Sequence, residues 1–164
     1  MLMPHAGRLV IDGFQFARGG DELRGTLALS ELPRLADMGV AASPGFDFAV
    51  CGGQNERGKP VLRIRASGPA AMTCQRCLGP VDVRLDASAV LELAESEAAV
   101  EAADDEVDRV VGSPAMDVGA LVEDELMLAL PMVPRHEACE PKGSRAQDEA
   151  GSPFAALAGL KRKH

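Results

Sequence analysis

Four residues in this chain have the types and spacing to do chemistry. Cys74 and Cys77 bracket Gln75 and Arg76, and His136 and Cys139 repeat that spacing much further along the chain. Two thiolates so placed on a turn can take two corners of a tetrahedral zinc site. His136 and Cys139 lie just beyond a helix that ends at Pro131, and they supply the other two corners if the fold brings the pairs together. Two further readings stand beside the metal. A thiol oxidoreductase needs its first cysteine at a helix N-terminus, where the thiolate is stabilised; here the flanks read as strands, and Leu78-Gly79-Pro80 is a poor helix start. The third reading gives these thiols no role beyond packing. Cys51, at a strand end, reads as a small core residue.

Other candidate chemistry fails on inspection. Gly53 to Lys59 imitates a phosphate-binding loop, but Pro60 stands where Ser or Thr would reach magnesium, and it leads into a strand. A hairpin turn accounts for it better. The histidines are His5, His136 and His164, two of them near the ends of the sequence. Neighbouring carboxylates such as Glu123 and Asp124 point in different directions on a helix and read as solvated. No constellation resembles an active site.

The elements that must position the four residues begin with short strands. Arg8 to Phe16 is apolar and ends in alternation around Gly13; Leu23, Gly25, Leu27 and Leu29 alternate along the next strand. Ser30 can cap a short helix through Met38, with Pro33 in its first turn and Gly39 ending it. Phe46, Phe48 and Val50 share a face, Gly52 to Lys59 is a polar turn, and Val61 to Ala66 alternates with Arg63 and Arg65 outward. Phe46 to Ala66 is therefore a hairpin. Strands from Ala70 into Cys74 and from Val81 to about Leu93 make the first cysteine pair a knuckle between them.

Asp117 to Leu130 is the best helix. Asp117 is its N-cap, Met116 and Leu121 sit at the staple positions, and Pro131 stops it. Val118, Leu121, Val122 and Ala129 face inward, Glu123 and Asp124 outward, and the apolar last turn needs cover on several sides. Between the last strand and this helix, every charged residue from Glu92 to Asp108 is acidic. That is first a solvated loop and second a lure for a basic partner. Glu140 to Gly151 reads as a flexible linker. Beyond it Ser152 caps and Pro153 opens a short helix carrying Phe154, Leu157 and Leu160, and Lys161, Arg162 and Lys163 complement its dipole. Roughly three turns are not stable alone in water, so this helix docks on the domain or on something else.

Composition bounds the class. A chain of 164 residues is about one domain. With no Trp or Tyr and five Phe, its core must be aliphatic. A net charge of −8 disfavours non-specific contact with polyanions, and the scarcity of aromatics disfavours stacking on single-stranded RNA. A basic protein suits such a surface better. The N-terminal residues hold no apolar stretch of signal-peptide length, and no segment approaches the ~18 apolar residues of a span. The expected compartment is the cytoplasm, with neither a membrane nor a small-molecule substrate as partner.

Three blocks carry a resemblance. They are Thr73 to Leu78; Met116 to Val118 with Leu121 to Pro134, followed by His136 and Cys139; and Ser152 to Leu157 with Leu160 to Lys163. In order and spacing the chain resembles the YceD family, the large ribosomal RNA subunit accumulation proteins. The resemblance covers the middle of the chain to its C-terminus. It implies a non-catalytic ribosome-biogenesis factor needed for synthesis, processing or stability of large-subunit (23S) ribosomal RNA. Some relatives carry a richer cysteine cluster after the long helix, which favours zinc there; this chain has His136 and Cys139 in that region.

The expected fold is α+β: a mainly antiparallel sheet, open or barrel-like, with one long helix packed on it and a tethered C-terminal helix. Residues 1–139 form the domain, with an acidic loop near 92–108; residues 140–151 are the linker and 152–164 the basic-ended tail. The expected ligands of a zinc ion, the one cofactor considered, are Cys74, Cys77, His136 and Cys139. Phe154, Leu157, Leu160, Lys161, Arg162 and Lys163 are expected to meet a ribosomal or assembly protein, with ribosomal RNA reached indirectly. The alternatives are a thiol oxidoreductase using Cys74 and Cys77, and a direct RNA chaperone.

Overall fold

The computed structural model describes residues 3–5, 8–41, 43–102 and 107–141, with side chains from Leu9 onward. Nearly all of the expected linker, and all of Phe154, Leu157, Leu160, Lys161, Arg162 and Lys163, lie outside the described residues. The chain runs β1 (Met3–His5), β2 (Arg8–Ile11), α1 (Gly13–Gly19), β3 (Glu22–Leu27), α2 (Pro33–Asp37), β4 (Phe46–Gln54), β5 (Pro60–Thr73) and β6 (Pro80–Ala94). It continues through α3 (Glu97–Glu101), β7 (Arg109–Val111), β8 (Met116–Asp117) and α4 (Val118–Leu128).

Two open sheets result, an α+β arrangement. The larger has order β3-β4-β5-β6-β7 and the smaller β1-β2-β8. The expected barrel does not close. Pairing is antiparallel except between β6 and β7, which run parallel, so the larger sheet is mixed. Alternation explains its sidedness. Phe46, Phe48 and Val50 on β4, and Leu62, Ile64, Ala66, Ala70 and Met72 on β5, are buried on one face, while Arg63 and Arg65 are exposed on the other. The register agrees: Val50 lies opposite Ile64, Leu62 opposite Leu91, and Met72 opposite Val81. A slip of one residue would turn every one of these side chains to solvent.

Helix α4 packs on β5 and β6 through Val118, Val122 and Leu126, all fully buried. Each such side chain contributes roughly 1.5–3 kcal/mol on leaving water. Asp117 caps it as expected, accepting from the Ala120 N–H at 3.2 Å. Helix α4 is the longest described helix, at 11 residues, but it has three short companions.

Several local expectations are corrected. The strand expected over Arg8 to Phe16 breaks at Asp12, which caps α1 by accepting from the Gln15 N–H at 2.9 Å. Phe16 and Ala17 then pack α1 on β4. The approach is close: a Cβ on Gly52 would overlap the α1 backbone at Phe16 and Ala17. Ser30 is not a cap, because it sits inside a 3-10 turn over Leu29–Glu31. Glu123 is not solvated. It is 4% exposed, and one carboxylate oxygen accepts from the Arg34 and Leu35 N–H groups at 2.7 and 3.1 Å. It thus caps α2 from another element. Asp124 is exposed and takes the Arg34 Nη1 at 2.6 Å. Nor is the acidic stretch one loop. Glu92 is buried inside β6, accepting from Arg109 Nε at 2.9 Å and Asn55 Nδ2 at 2.8 Å, and Glu97–Glu101 is helical, capped by Ser96.

Candidate metal centre

Strand alternation delivers the first ligand. Cys74 continues the even-numbered, buried face of β5 past its last residue, so its sulfur points to the side on which α4 packs, and it is fully buried. The chain then turns within Cys74 to Gly79. The Cys74 N–H donates to the Gly79 carbonyl at 2.8 Å, and the Leu78 N–H donates to the Cys74 carbonyl at 3.0 Å. Leu78 takes φ of 58°, a left-handed conformation costly for a branched side chain, and this closes the knuckle.

The second pair arrives from the end of α4. Pro131 ends the helix, and the segment that follows is pinned where the Pro134 carbonyl accepts from the Gln75 N–H at 2.8 Å. His136 and Cys139 then fall on the knuckle. The four candidate ligand atoms, from Cys74, Cys77, His136 and Cys139, all lie within 4.8 Å of one another. The chain between the two pairs runs through β6, α3, β7 and β8, and α4 brings it back to the knuckle.

The distances fit a tetrahedral ion. With Zn–S of ~2.3 Å and Zn–N of ~2.0–2.1 Å, tetrahedral edges are about 3.8 Å for S···S and about 3.6 Å for S···N. Cys74 Sγ and Cys139 Sγ are 3.8 Å apart, and Cys77 Sγ and His136 Nδ1 are 3.4 Å apart. The outer contacts support the same geometry. His136 Nε2 lies 2.9 Å from the Pro80 carbonyl, which can only accept, so the ring proton belongs on Nε2 and the Nδ1 lone pair faces the sulfurs. The Arg76 N–H reaches Cys74 Sγ at 3.5 Å, and Arg76 Nη1 donates to the Cys139 carbonyl at 3.3 Å.

Electrostatics asks for a cation. Burial works against ionising Cys74, but the N–H groups of Cys77, Arg76 and His136 and the Cys77 thiol outweigh it and hold that thiol down at about 5. Burial, and then the neighbouring Cys74 and Cys77 sulfurs, push Cys139 up instead. A cation held by the four residues would offset the mutual repulsion of thiolates placed this close together. Four protein ligands complete a structural zinc coordination and leave no position for water or substrate.

All four residues expected from the sequence converge. The partners in the outer shell, the Pro80 carbonyl and the Arg76 N–H, had no sequence signal beyond their place in a turn. Cys51 stays apart from the centre, its Sγ 3.4 Å from Glu22 Oε1. Among the described residues no helix is long and apolar enough to cross a membrane. No solved structure matches the chain. The family model described as large ribosomal RNA subunit accumulation protein YceD matches residues 62–161, which take in β5, the knuckle, α4 and the chain beyond it. That is more than half of the sequence, and the chain belongs to the YceD family.

Proposed function

We propose that this protein is a non-catalytic, cytoplasmic factor of ribosome biogenesis. It supports synthesis, processing or stability of the 23S ribosomal RNA by engaging a basic ribosomal or assembly protein. The observation that carries this is the family match across residues 62–161, whose description names accumulation of large-subunit ribosomal RNA. Its site supports a binding role. A centre with four protein ligands is a staple that fixes the end of α4 to the β5–β6 turn; when bound, zinc supplies structural charge there, and the chain's own residues do the rest. The net charge of −8 favours a basic partner over bare RNA.

Depletion of the protein, followed by profiling of ribosomal particles and precursor RNA, tests the proposal. A selective deficit of large subunits is the expected result, and unchanged profiles would sink it. One observation favours a second reading. An acidic Cys74 thiol lying 3.8 Å from Cys139 Sγ is also placed for disulfide chemistry. Metal analysis separates the two: about one zinc per chain supports the staple, whereas zinc-free protein exchanging thiols with partners supports an oxidoreductase.

A further inference from the structure

Strand β6 pairs with β5 along its whole length in one unbroken register, from Glu92 opposite Val61 to Pro80 opposite Thr73. On its other side β7 covers Glu92 to Ala94 alone. An antiparallel ladder turns the backbone groups of alternate residues outward. Two bonds fix which residues these are in β6: the Glu92 N–H donates outward to the Asp108 carbonyl, and the Pro80 carbonyl accepts from His136. By the same parity the N–H and C=O groups of Asp82, Arg84, Asp86, Ser88 and Val90 face away from β5. Among the described residues none of these groups has a partner. An open edge of this length is a template for another strand, and proteins ordinarily blunt one with a bulge, a proline or a lysine. Asp82 to Val90 contains none of the three.

We infer that this edge is a self-association site. Strand β6 of a second copy of the chain lies antiparallel against it about a twofold axis at Leu85, joining the two larger sheets into one. Charge selects the occupant and the register. Asp82, Arg84 and Asp86 stand exposed on one face of the strand. A twofold centred on Arg84 sets that arginine against itself and Asp82 against Asp86, and one centred on Asp86 sets that carboxylate against itself. A centre at Val83 opposes unlike charges but faces Asp86 with Pro80, which has no N–H to give. Centred on Leu85, the axis sets Arg84 opposite the second copy's Asp86, and Asp86 opposite its Arg84. Within one strand Arg84 Nε already lies 3.3 Å from Asp86 Oδ2, so pairing closes a ring of four alternating charges.

The same register brings the open backbone groups into step. Asp82 meets Ser88 and Arg84 meets Asp86 as hydrogen-bonded pairs, which gives about eight backbone bonds across the axis. On the inner face Val83 and Ala87, half-buried in one chain, become cross-strand neighbours and gain cover. His136 at the Pro80 carbonyl and Asp108 at the Glu92 N–H bound the open stretch, and Leu85 stands next to its middle.

Sedimentation equilibrium of the full chain tests the inference. At ~100 µM the parent should have twice the 17.2 kDa mass of one chain. Arg84→Asp and Asp86→Arg change exposed side chains, and each sets like charges against one another across the axis. Each should weaken dimerisation about tenfold or more. Mixed in equal amounts, the two variants should form a heterodimer as tight as the parent dimer, because every pair across the axis is then again of opposite sign. That recovery also shows both variants to be folded. A parent that keeps the mass of one chain at this concentration would overturn the inference and leave the edge to a strand of another protein. A dimer that either variant leaves unweakened, or variants that do not recover on mixing, would overturn it as well.

Discussion

Cys77 stands at one corner of the candidate metal centre, with its sulfur 3.4 Å from His136 Nδ1. Serine in its place keeps the shape but removes a soft ligand. Cys77→Ser should cut bound zinc from about one per chain to well below half, read by elemental analysis after dialysis. Because metal binding is coupled to folding, chelation of the parent protein should lower Tm, by about 5–10 °C. A smaller change than that is expected in Cys77→Ser, which starts without the ion. Equal responses to chelator in both proteins would show that the four residues hold no metal. The four-residue cluster is legible because cysteine and histidine pairs at fixed spacing are rare without a reason. The outer contacts are not, since a carbonyl such as that of Pro80 has no residue identity to read.

A second prediction at this scale concerns Glu125. Burial first, and then Asp108 and Asp124, raise its carboxyl above the ordinary 4.5. A carboxyl raised on folding favours the folded state while protonated, and that contribution is lost as pH rises through the folded value. At pH 7 the ionised group is therefore a liability. Glu125→Gln should raise Tm by about 1–2 °C at pH 7, with the gain shrinking towards nothing below about pH 4.5. A gain independent of pH would mean that charge is not its cause.

At the scale of elements, Glu123 joins two helices that the sequence presents as unrelated. Its buried carboxylate satisfies the first N–H groups of α2 and binds Arg34 Nε at 2.8 Å. Removal leaves those N–H donors and Arg34 Nε without their partner, while Asp124 still holds Nη1, so Glu123→Ala should cost about 2–3 kcal/mol in denaturant unfolding. Asp124→Ala, which loses only an exposed ion pair, should cost less than about 1 kcal/mol. A sequence reading placed both carboxylates outward because helical periodicity describes α4 alone and does not say which other helix end lies over it. The same blindness missed α1. Seven residues containing Gly13 and Gly19 are too short to display a helical period, although Asp12 was an available cap signal. Long strands were read better, because β4, β5 and β6 alternate over many residues and each repeat reinforces the same face.

The whole molecule is acidic, and its charge is unevenly spread. Glu95, Glu97 and Glu101 are exposed on and beside α3, while Glu92, in the same acidic run, is neutralised inside the sheet by Arg109. Of the described residues in that run, these three glutamates, together with exposed Asp108, can present a field to a partner. If that partner is a basic ribosomal or assembly protein, these carboxylates act by steering its approach and by opposing charge at the rim of the contact. Replacing all three with glutamine should weaken capture of the partner about tenfold near 50 mM salt. The parent and the variant should converge towards 0.5 M salt, where the screening length is only a few ångströms. Nuclease treatment of the extract should leave capture unchanged. Capture that vanishes with nuclease, or that strengthens when the glutamates are neutralised, would point to RNA as the direct ligand, since phosphates are repelled by these same groups.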